Sequence, residues 1–361
     1  MNKNLLRVMI LTLVLPVFVF VACESDEDHP DYILNVDSLK DKFADYFMIG
    51  NVMNPDAVSS AKLKRHFNVL TAENNMKPSY IAPTSIGTYS YGTADSMVNS
   101  ARSAGFKVVG HTLLWHSQIP AWQQNVTADN AKNYMERYIS DVVGHFKGRI
   151  YSWDVLNEAF PDGGFTGDWK TSMRSNNPWY RTLGSDFVYY GFVAARRADS
   201  GALLYYNDYN MNDSNKAAMV RDMVRDVNAR YKNETGSTRL LIEGIGMQGH
   251  HNTGVTAQSI RNSINLFRPL GVKISISELD VLSQTWNQYS SNAALTSEGK
   301  NRAAELYKEY FTVFIENKDI IERVTFWGVN DEQSWRARAQ PLIFANDRAK
   351  SSFKKIMELV D

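Results

Sequence analysis

The sequence predicts an α/β protein, a single closed (β/α)₈ barrel of the TIM type. Three observations predict it. Eight short apolar runs alternate with amphipathic stretches, the runs are β-branched or aromatic nearly throughout, and no linker, repeat or low-complexity segment divides the chain. Strands apolar on both faces belong to parallel sheets covered by helices. A repeated strand–helix order gives that architecture. An open doubly wound sheet is the alternative, but it usually carries a glycine-rich phosphate turn after its first strand. Phe47-Met48-Ile49-Gly50-Asn51-Val52 offers no G-x-G-x-x-G. The closed barrel is preferred, and 361 residues is a length at which such barrels form one domain.

The strands are expected at residues 47–51, 68–72, 107–111, 150–156, 203–207, 240–245, 273–277 and 324–329. Between them, Ala131, Met135, Tyr138, Val142 and Phe146 recur at three or four residues, with Thr127 as the expected N-cap. Ser214 is the expected cap of a helix carrying Met219, Met223, Val227 and Tyr231. Thr256 caps one with Ile260, Ile264 and Phe267 that ends near Pro269 and Gly271. Leu306, Tyr310 and Phe314 mark a further helix, and Phe353, Met357 and Val360 the last.

Lys plus Arg equals Asp plus Glu at 39 each, so no net field draws the protein to nucleic acid, and a neutral polymer is the better partner. The single cysteine, Cys23, excludes an internal disulfide and a thiolate metal site. Its position says more. Lys3 and Arg7 are followed by an uncharged apolar run from Val8 to Ala22, too short for a comfortable membrane span and fit for a signal peptide over residues 1–22. Ala22-Cys23 resembles a bacterial lipoprotein cleavage site, with Phe20 where that motif usually has Leu. Residues 23–31 then form an acidic tether, and Glu24-Ser25-Asp26-Glu27-Asp28 resembles the surface-export signal of Bacteroidetes lipoproteins. The resemblance implies a lipid anchor on Cys23 in the outer membrane, facing the cell surface, with the periplasmic face and a plain secretory signal with an incidental cysteine as the alternatives. A monomer is expected.

Barrel chemistry sits at the C-terminal ends of the strands. Here those ends are crowded with polar residues: Glu73-Asn74-Asn75-Met76-Lys77, His111 to Gln118, Asn157-Glu158, Asn207 to Asn210, Met247 to His250, Glu278-Leu279-Asp280 and Trp327 to Asp331. Seven such ends would have to be desolvated on one rim without structural reason, so a site is indicated.

Glu158 and Glu278 follow strands that lie across the mouth from one another. Cleavage of a glycosidic bond needs such a pair, because the departing oxygen must be protonated while the anomeric carbon is attacked or stabilised. Glu158 as a helix-capping carboxylate is the competing reading. Glu278 and Asp280, two apart, share a strand face and would raise each other's pKa unless a donor intervenes. His250, from the neighbouring strand end, is that donor, with one ring nitrogen for each carboxylate.

Residues 71–77, 110–122, 153–159, 206–210, 246–250, 277–280 and 325–336 together resemble the family 10 glycoside hydrolases, mainly endo-β-1,4-xylanases, in order and spacing. The resemblance implies retaining double displacement, with Glu158 as general acid/base and Glu278 as nucleophile, their carboxyls about 5–5.5 Å apart. It implies that Asn157 and Gln248 bind the sugar beside the cut and that His250 and Asp280 tune Glu278. Glu73, Asn74, Lys77, His111, Trp115 and Gln118 would hold two sugars on the non-reducing side, Trp327 and Trp335 would close that end, and Tyr209 would meet the leaving group. Xylan or xylo-oligosaccharides are the implied substrates, without cofactor or metal.

Three rivals remain: a β-1,4-glucanase on the same machinery, a glycan-binding protein that has lost catalysis, and a metal-dependent hydrolase. Crowding by the two tryptophans disfavours glucose, which carries a hydroxymethyl group that xylose lacks. Both carboxylates are retained, which disfavours a mere binder. His111 and His116, five apart, and adjacent His250 and His251 are not usual metal-ligand spacings.

Overall fold

The computed structural model describes residues 27, 29–56 and 58–360; the expected leader, Cys23 and most of the tether lie outside the described residues. Eight strands alternate with eight helices: β1 (Met48–Met53), α1 (Ala61–His66), β2 (Val69–Ala72), α2 (Gly92–Ser103), β3 (Lys107–Leu114), α3 (Ala131–His145), β4 (Ser152–Asn157) and α4 (Asp186–Ala198), then β5 (Leu203–Asp208), α5 (Ser214–Thr235), β6 (Gly244–Met247), α6 (Ala257–Phe267), β7 (Lys273–Val281), α7 (Ser297–Glu316), β8 (Ile321–Phe326) and α8 (Ser351–Met357). Every strand pairs in parallel with its chain neighbours, and β1 pairs with β8, which closes the barrel. Closure removes every sheet edge. Apolar side chains of strands and helices fuse into one core around the barrel.

Several elements depart from the sequence expectation. β6 begins at Gly244 rather than residue 240. Leu241 and Ile242 are fully buried, as an apolar run should be. Their N–H groups are taken by the Asn228 side chain of α5, 3.0 and 2.8 Å away, and the Ile242 carbonyl accepts from the same amide at 3.0 Å. A helix side chain has replaced the strand ladder there. β8 starts earlier, at Ile321, and stops before Gly328, whose φ of +137° breaks the strand. The polar pair Glu322-Arg323 hid its beginning, although Arg323 is buried.

Two caps also differ. Helix α3 begins at Ala131, because the Asn130 side chain turns back to accept from the Thr127 N–H at 3.0 Å. Helix α5 is capped by Asp213, one residue before Ser214, with its carboxylate accepting from the Asn215 and Lys216 amides at 2.9 Å each. Thr256 caps α6 as expected, and Gly271 takes the left-handed conformation after the turn that follows.

Past β6, Gly249 at φ +86° interrupts the strand, and His250–His251 resumes the pairing with β7, His250 opposite Asp280. This break sets His250 level with the end of β7. Register shifts between β3 and β4 and between β4 and β5 fall at the same rim. Bulges of this kind re-aim side chains next to sites.

Candidate active site

The C-terminal ends of the strands surround a cleft of about 800 Å³. Glu158 and Glu278 both line it, with Glu73, Asn74, Lys77, His111, Trp115, Gln118, Asn157, Tyr209, Gln248, His250, Trp327 and Trp335. Asp280 lies beneath, fully buried. Every barrel residue to which the sequence gave a catalytic or sugar-binding role therefore gathers at this cleft or directly behind it.

Glu278 sits near the end of β7, buried. The His250 ring lies between the two carboxylates of that strand, Nδ1 2.8 Å from Asp280 Oδ2 and Nε2 3.1 Å from Glu278 Oε2. Asp280 also accepts from Trp335 Nε1 at 2.8 Å and from Arg336 at 3.4 Å. Burial works against charge on His250, but the carboxylates of Asp280 and Glu278 outweigh it and raise its pKa to about 9. The ring is an imidazolium at neutral pH, so both nitrogens donate. Burial likewise works against charge on Glu278. The hydrogen bond from His250, charge attraction to His111 and His250, and a hydrogen bond from Asn207, whose Nδ2 lies 2.7 Å from Glu278 Oε1, bring its pKa below the ordinary glutamate value. Glu278 is thus a carboxylate aimed into the cleft.

Glu158 follows β4 with φ +55°, a left-handed conformation that costs a non-glycine residue on the order of 1 kcal/mol. Neighbouring elements enforce it. Its N–H donates to the Asn207 carbonyl at 2.8 Å, and its carbonyl accepts from Arg174 Nε at 2.9 Å. The next N–H, of Ala159, donates to the Tyr206 hydroxyl at 3.1 Å. The turn directs the carboxylate across the cleft, where Oε1 accepts from Gln248 Nε2 and Oε2 from Trp115 Nε1, each at 3.0 Å. The helix-capping reading of Glu158 fails, because its carboxylate faces the cleft.

Asn157 joins the two halves: its side-chain amide lies 2.9 Å from Asn207 Nδ2 and 3.3 Å from Gln248 Nε2. The side-chain oxygen Oδ1 of Asn207 in turn accepts from Ser277 Oγ at 2.5 Å.

Along the other wall, Lys77 donates to Asn74 at 3.0 Å and to Gln118 at 2.7 Å and lies over the Trp115 ring at 5.1 Å. Burial lowers its pKa, and the negative charges of Glu278, Glu73 and Glu158 partly restore it. His111 turns one nitrogen to buried Asp154 at 2.9 Å, which orients the ring. Trp327, nearly buried, packs its ring edge-to-face against His111 at 5.8 Å. Trp335 leaves 56% of its surface exposed at the lip.

On the side of β5, Tyr209 lies over Lys216, whose Nζ is 3.7 Å from the ring centroid. Lys216 pairs with buried Asp208 at 2.9 Å, and Arg174 donates to the Tyr209 hydroxyl.

Among the residues that act here, Asn207, Arg174 and Asp154 carried no assigned role in the sequence. Asn207 ends a strand on the inward face, a position that alternation could have singled out. Arg174 lies in the long connection after β4, where nothing periodic marks it. Among the described residues, no group of three or more His, Cys, Asp or Glu side chains is arranged to hold a metal ion.

An ionised buried glutamate and a second glutamate held across the same barrel mouth define a glycosidase of the (β/α)₈ class. Residues 38–359 match the family described as Glycosyl hydrolase family 10, and the chain belongs to that family. Among curated relatives, a β-1,4-xylanase of Dictyoglomus thermophilum is 35% identical over 90% of this chain and 92% of its own length. An endo-1,4-β-xylanase of Geobacillus stearothermophilus is 36% identical over 83% of this chain and 89% of its own. A crystal structure of a family 10 xylanase with a bacterial Ig-like domain, from termite gut, is 47% identical with a TM-score of 0.88, over 91% of this chain and 78% of that one.

Proposed function

We propose that the protein is a retaining endo-β-1,4-xylanase, with Glu278 as nucleophile and Glu158 as general acid/base. The observation that carries these roles is the asymmetry of the pair. Glu278 is held ionised by the His250 imidazolium, whereas Glu158 is met by the neutral donors Trp115 and Gln248. One carboxylate ready to attack and one able to exchange a proton are what double displacement requires.

In the first step a Glu278 oxygen bonds to the anomeric carbon as the glycosidic C–O bond breaks, and Glu158 transfers its proton to the departing oxygen. In the second, water gives its proton to Glu158 and its oxygen to the anomeric carbon, which releases Glu278. Asn157 and Gln248, beside the Glu158 carboxylate and with Asn157 linked through Asn207 to Glu278, are placed to hold the sugar being transferred. Glu73, Asn74, Lys77, His111 and Gln118 grip the glycone, Trp327 and Trp335 close its end, and Tyr209 faces the leaving group. Two steps at one carbon retain configuration.

Proton NMR of products from xylan should therefore show the β-anomer first. A 2-deoxy-2-fluoro-xylobioside inactivator should label Glu278. Initial formation of the α-anomer, or full activity in Glu278→Ala, would sink the assignment.

We propose further that the chain is a monomer exported by residues 1–22 and anchored through a lipid on Cys23, a reading supported by the sequence pattern alone. Fractionation of expressing cells should find the enzyme in the outer membrane, accessible to external protease, and Cys23→Ala should release it. An unchanged distribution for that variant would refute the anchor, and light scattering tests the monomer.

A further inference from the structure

We propose that Arg323, buried inside the barrel, is a positioning residue for sugar binding that acts through Asp154 on His111. The proposal rests on the xylanase reading above, in which His111 grips the glycone. Arg323 stands on β8 and is 1% exposed. Its guanidinium reaches β4, where Nη1 donates to Ser152 Oγ at 3.3 Å and Nη2 lies 3.9 Å from Asp154 Oδ1. Strand β8 pairs with β7 and β1, and β4 with β3 and β5, so this contact crosses the barrel instead of following a ladder. Such an interior is normally filled by branched apolar side chains. A charge placed there needs a reason, because a buried ion is strongly disfavoured unless it is matched.

The floor of the barrel is built around this guanidinium. It lies 4.6 Å from the centroid of the Tyr205 ring on β5. That ring takes space left free on β6, where a Cβ at Gly244 would stand 2.1 Å from it. Nη1 is also 3.6 Å from Glu322 Oε2. Glu322 in turn accepts from the hydroxyls of Tyr151, at 2.5 Å, and Tyr205. Two phenols thus share the Glu322 charge, and the guanidinium remains available to the second carboxylate, Asp154.

Asp154 passes the effect to the cleft. It is 1% exposed, and its Oδ2 lies 2.9 Å from His111 Nδ1, while its main-chain carbonyl accepts from Thr112 Oγ1 at 2.7 Å. At 3.9 Å the contact with Arg323 is one of charge, not a hydrogen bond, so it matches the carboxylate without competing for the oxygen that His111 uses. Without Arg323, Asp154 is an uncompensated buried carboxylate, which the fold relieves by moving it or neutralising it. Either outcome loosens the bond that decides how the ring, and its other nitrogen, face the sugar.

The test is a double-mutant cycle on kcat/KM for an aryl β-xylobioside. Arg323→Met, which keeps the length and loses the charge, should lower kcat/KM about tenfold or more, chiefly through KM. In the His111→Ala background the same substitution should cost less than about twofold, because the group through which it acts is gone. Arg323→Lys, which restores a cation, should recover most of the loss, and Arg323→Gln replaces the methionine variant should that one fold poorly. A fall of equal size in both backgrounds, or a neutral variant as active as wild type, would overturn the positioning role. A wild-type enzyme inert on the aryl xylobioside would refute the xylanase reading itself, and the proposal with it, before any variant is compared.

Discussion

His250 carries two carboxylates at once, and its charge is what lets Glu278 and Asp280 share one strand face in a buried setting. Removing that charge leaves two like charges and no donor between them. In His250→Asn the acidic limb of the kcat/KM profile is expected to move up by about one pH unit or more, since loss of a close opposite charge raises a carboxyl by that amount. An unmoved limb would mean that His250 does not hold Glu278 ionised. Glu158 differs in that its backbone is held as well as its side chain. Arg174 holds its carbonyl and reaches Tyr209 as well, so one guanidinium links the Glu158 turn to the Tyr209 wall of the cleft. Arg174→Met should lower kcat more than it raises KM, and an equal kcat would show that the turn holds without it.

At the scale of elements, the absence of a side chain at position 246 of β6 leaves room for the Asn207 side chain of β5. A Cβ at Gly246 would lie 2.2 Å from Asn207 Oδ1 and 3.2 Å from Ser277 Oγ. Gly246→Ala should fold, because the nearest atom is the end of a side chain, but it displaces the amide that donates to Glu278. Activity is expected to fall about tenfold or more with unfolding temperature little changed, while wild-type activity would show that Asn207 is dispensable. The helix caps contribute to stability rather than chemistry. Asp213→Ala removes both bonds to the start of α5 and should cost about 1 kcal/mol by urea unfolding. A loss within error would show that water replaces the cap.

For the whole molecule, histidines set opposing trends with pH. Burial depresses His66 and His116 to about 4 and His251 to about 3, so these rings are neutral in the fold and take up protons on unfolding. Their contribution is present above the ordinary histidine value of about 6.5 and is lost as pH falls toward the folded values. His250, raised to about 9, runs the other way: its contribution is complete below about 6.5 and is lost as pH rises through 9. The lowered carboxyls of Glu278 and Asp280 add stability above the ordinary carboxylate range, lost on further acidification. The unfolding temperature should therefore peak near pH 6.5 and decline on both sides. A steady rise from pH 6.5 to 9 in a calorimetric series would contradict the His250 assignment.

The sequence by itself determined the order of eight apolar strands and the polar residues at their ends. It also determined the pairing of Glu278 with Asp280 through His250, because side-chain alternation along one strand and adjacency of the next are local rules. Only the tertiary structure decided what lies across the barrel. The contacts of Trp115 and Gln248 to Glu158, the bridge of Asn207 to Glu278 and the hold of Arg174 on the left-handed turn depend on register shifts and loop paths. The same holds for β6, where an amide from α5 took over the bonds of Leu241 and Ile242 and pushed the strand start to Gly244. Apolar pattern fixes which face of a strand is buried, whereas a hydrogen bond goes to whichever partner the closed fold brings within about 3 Å.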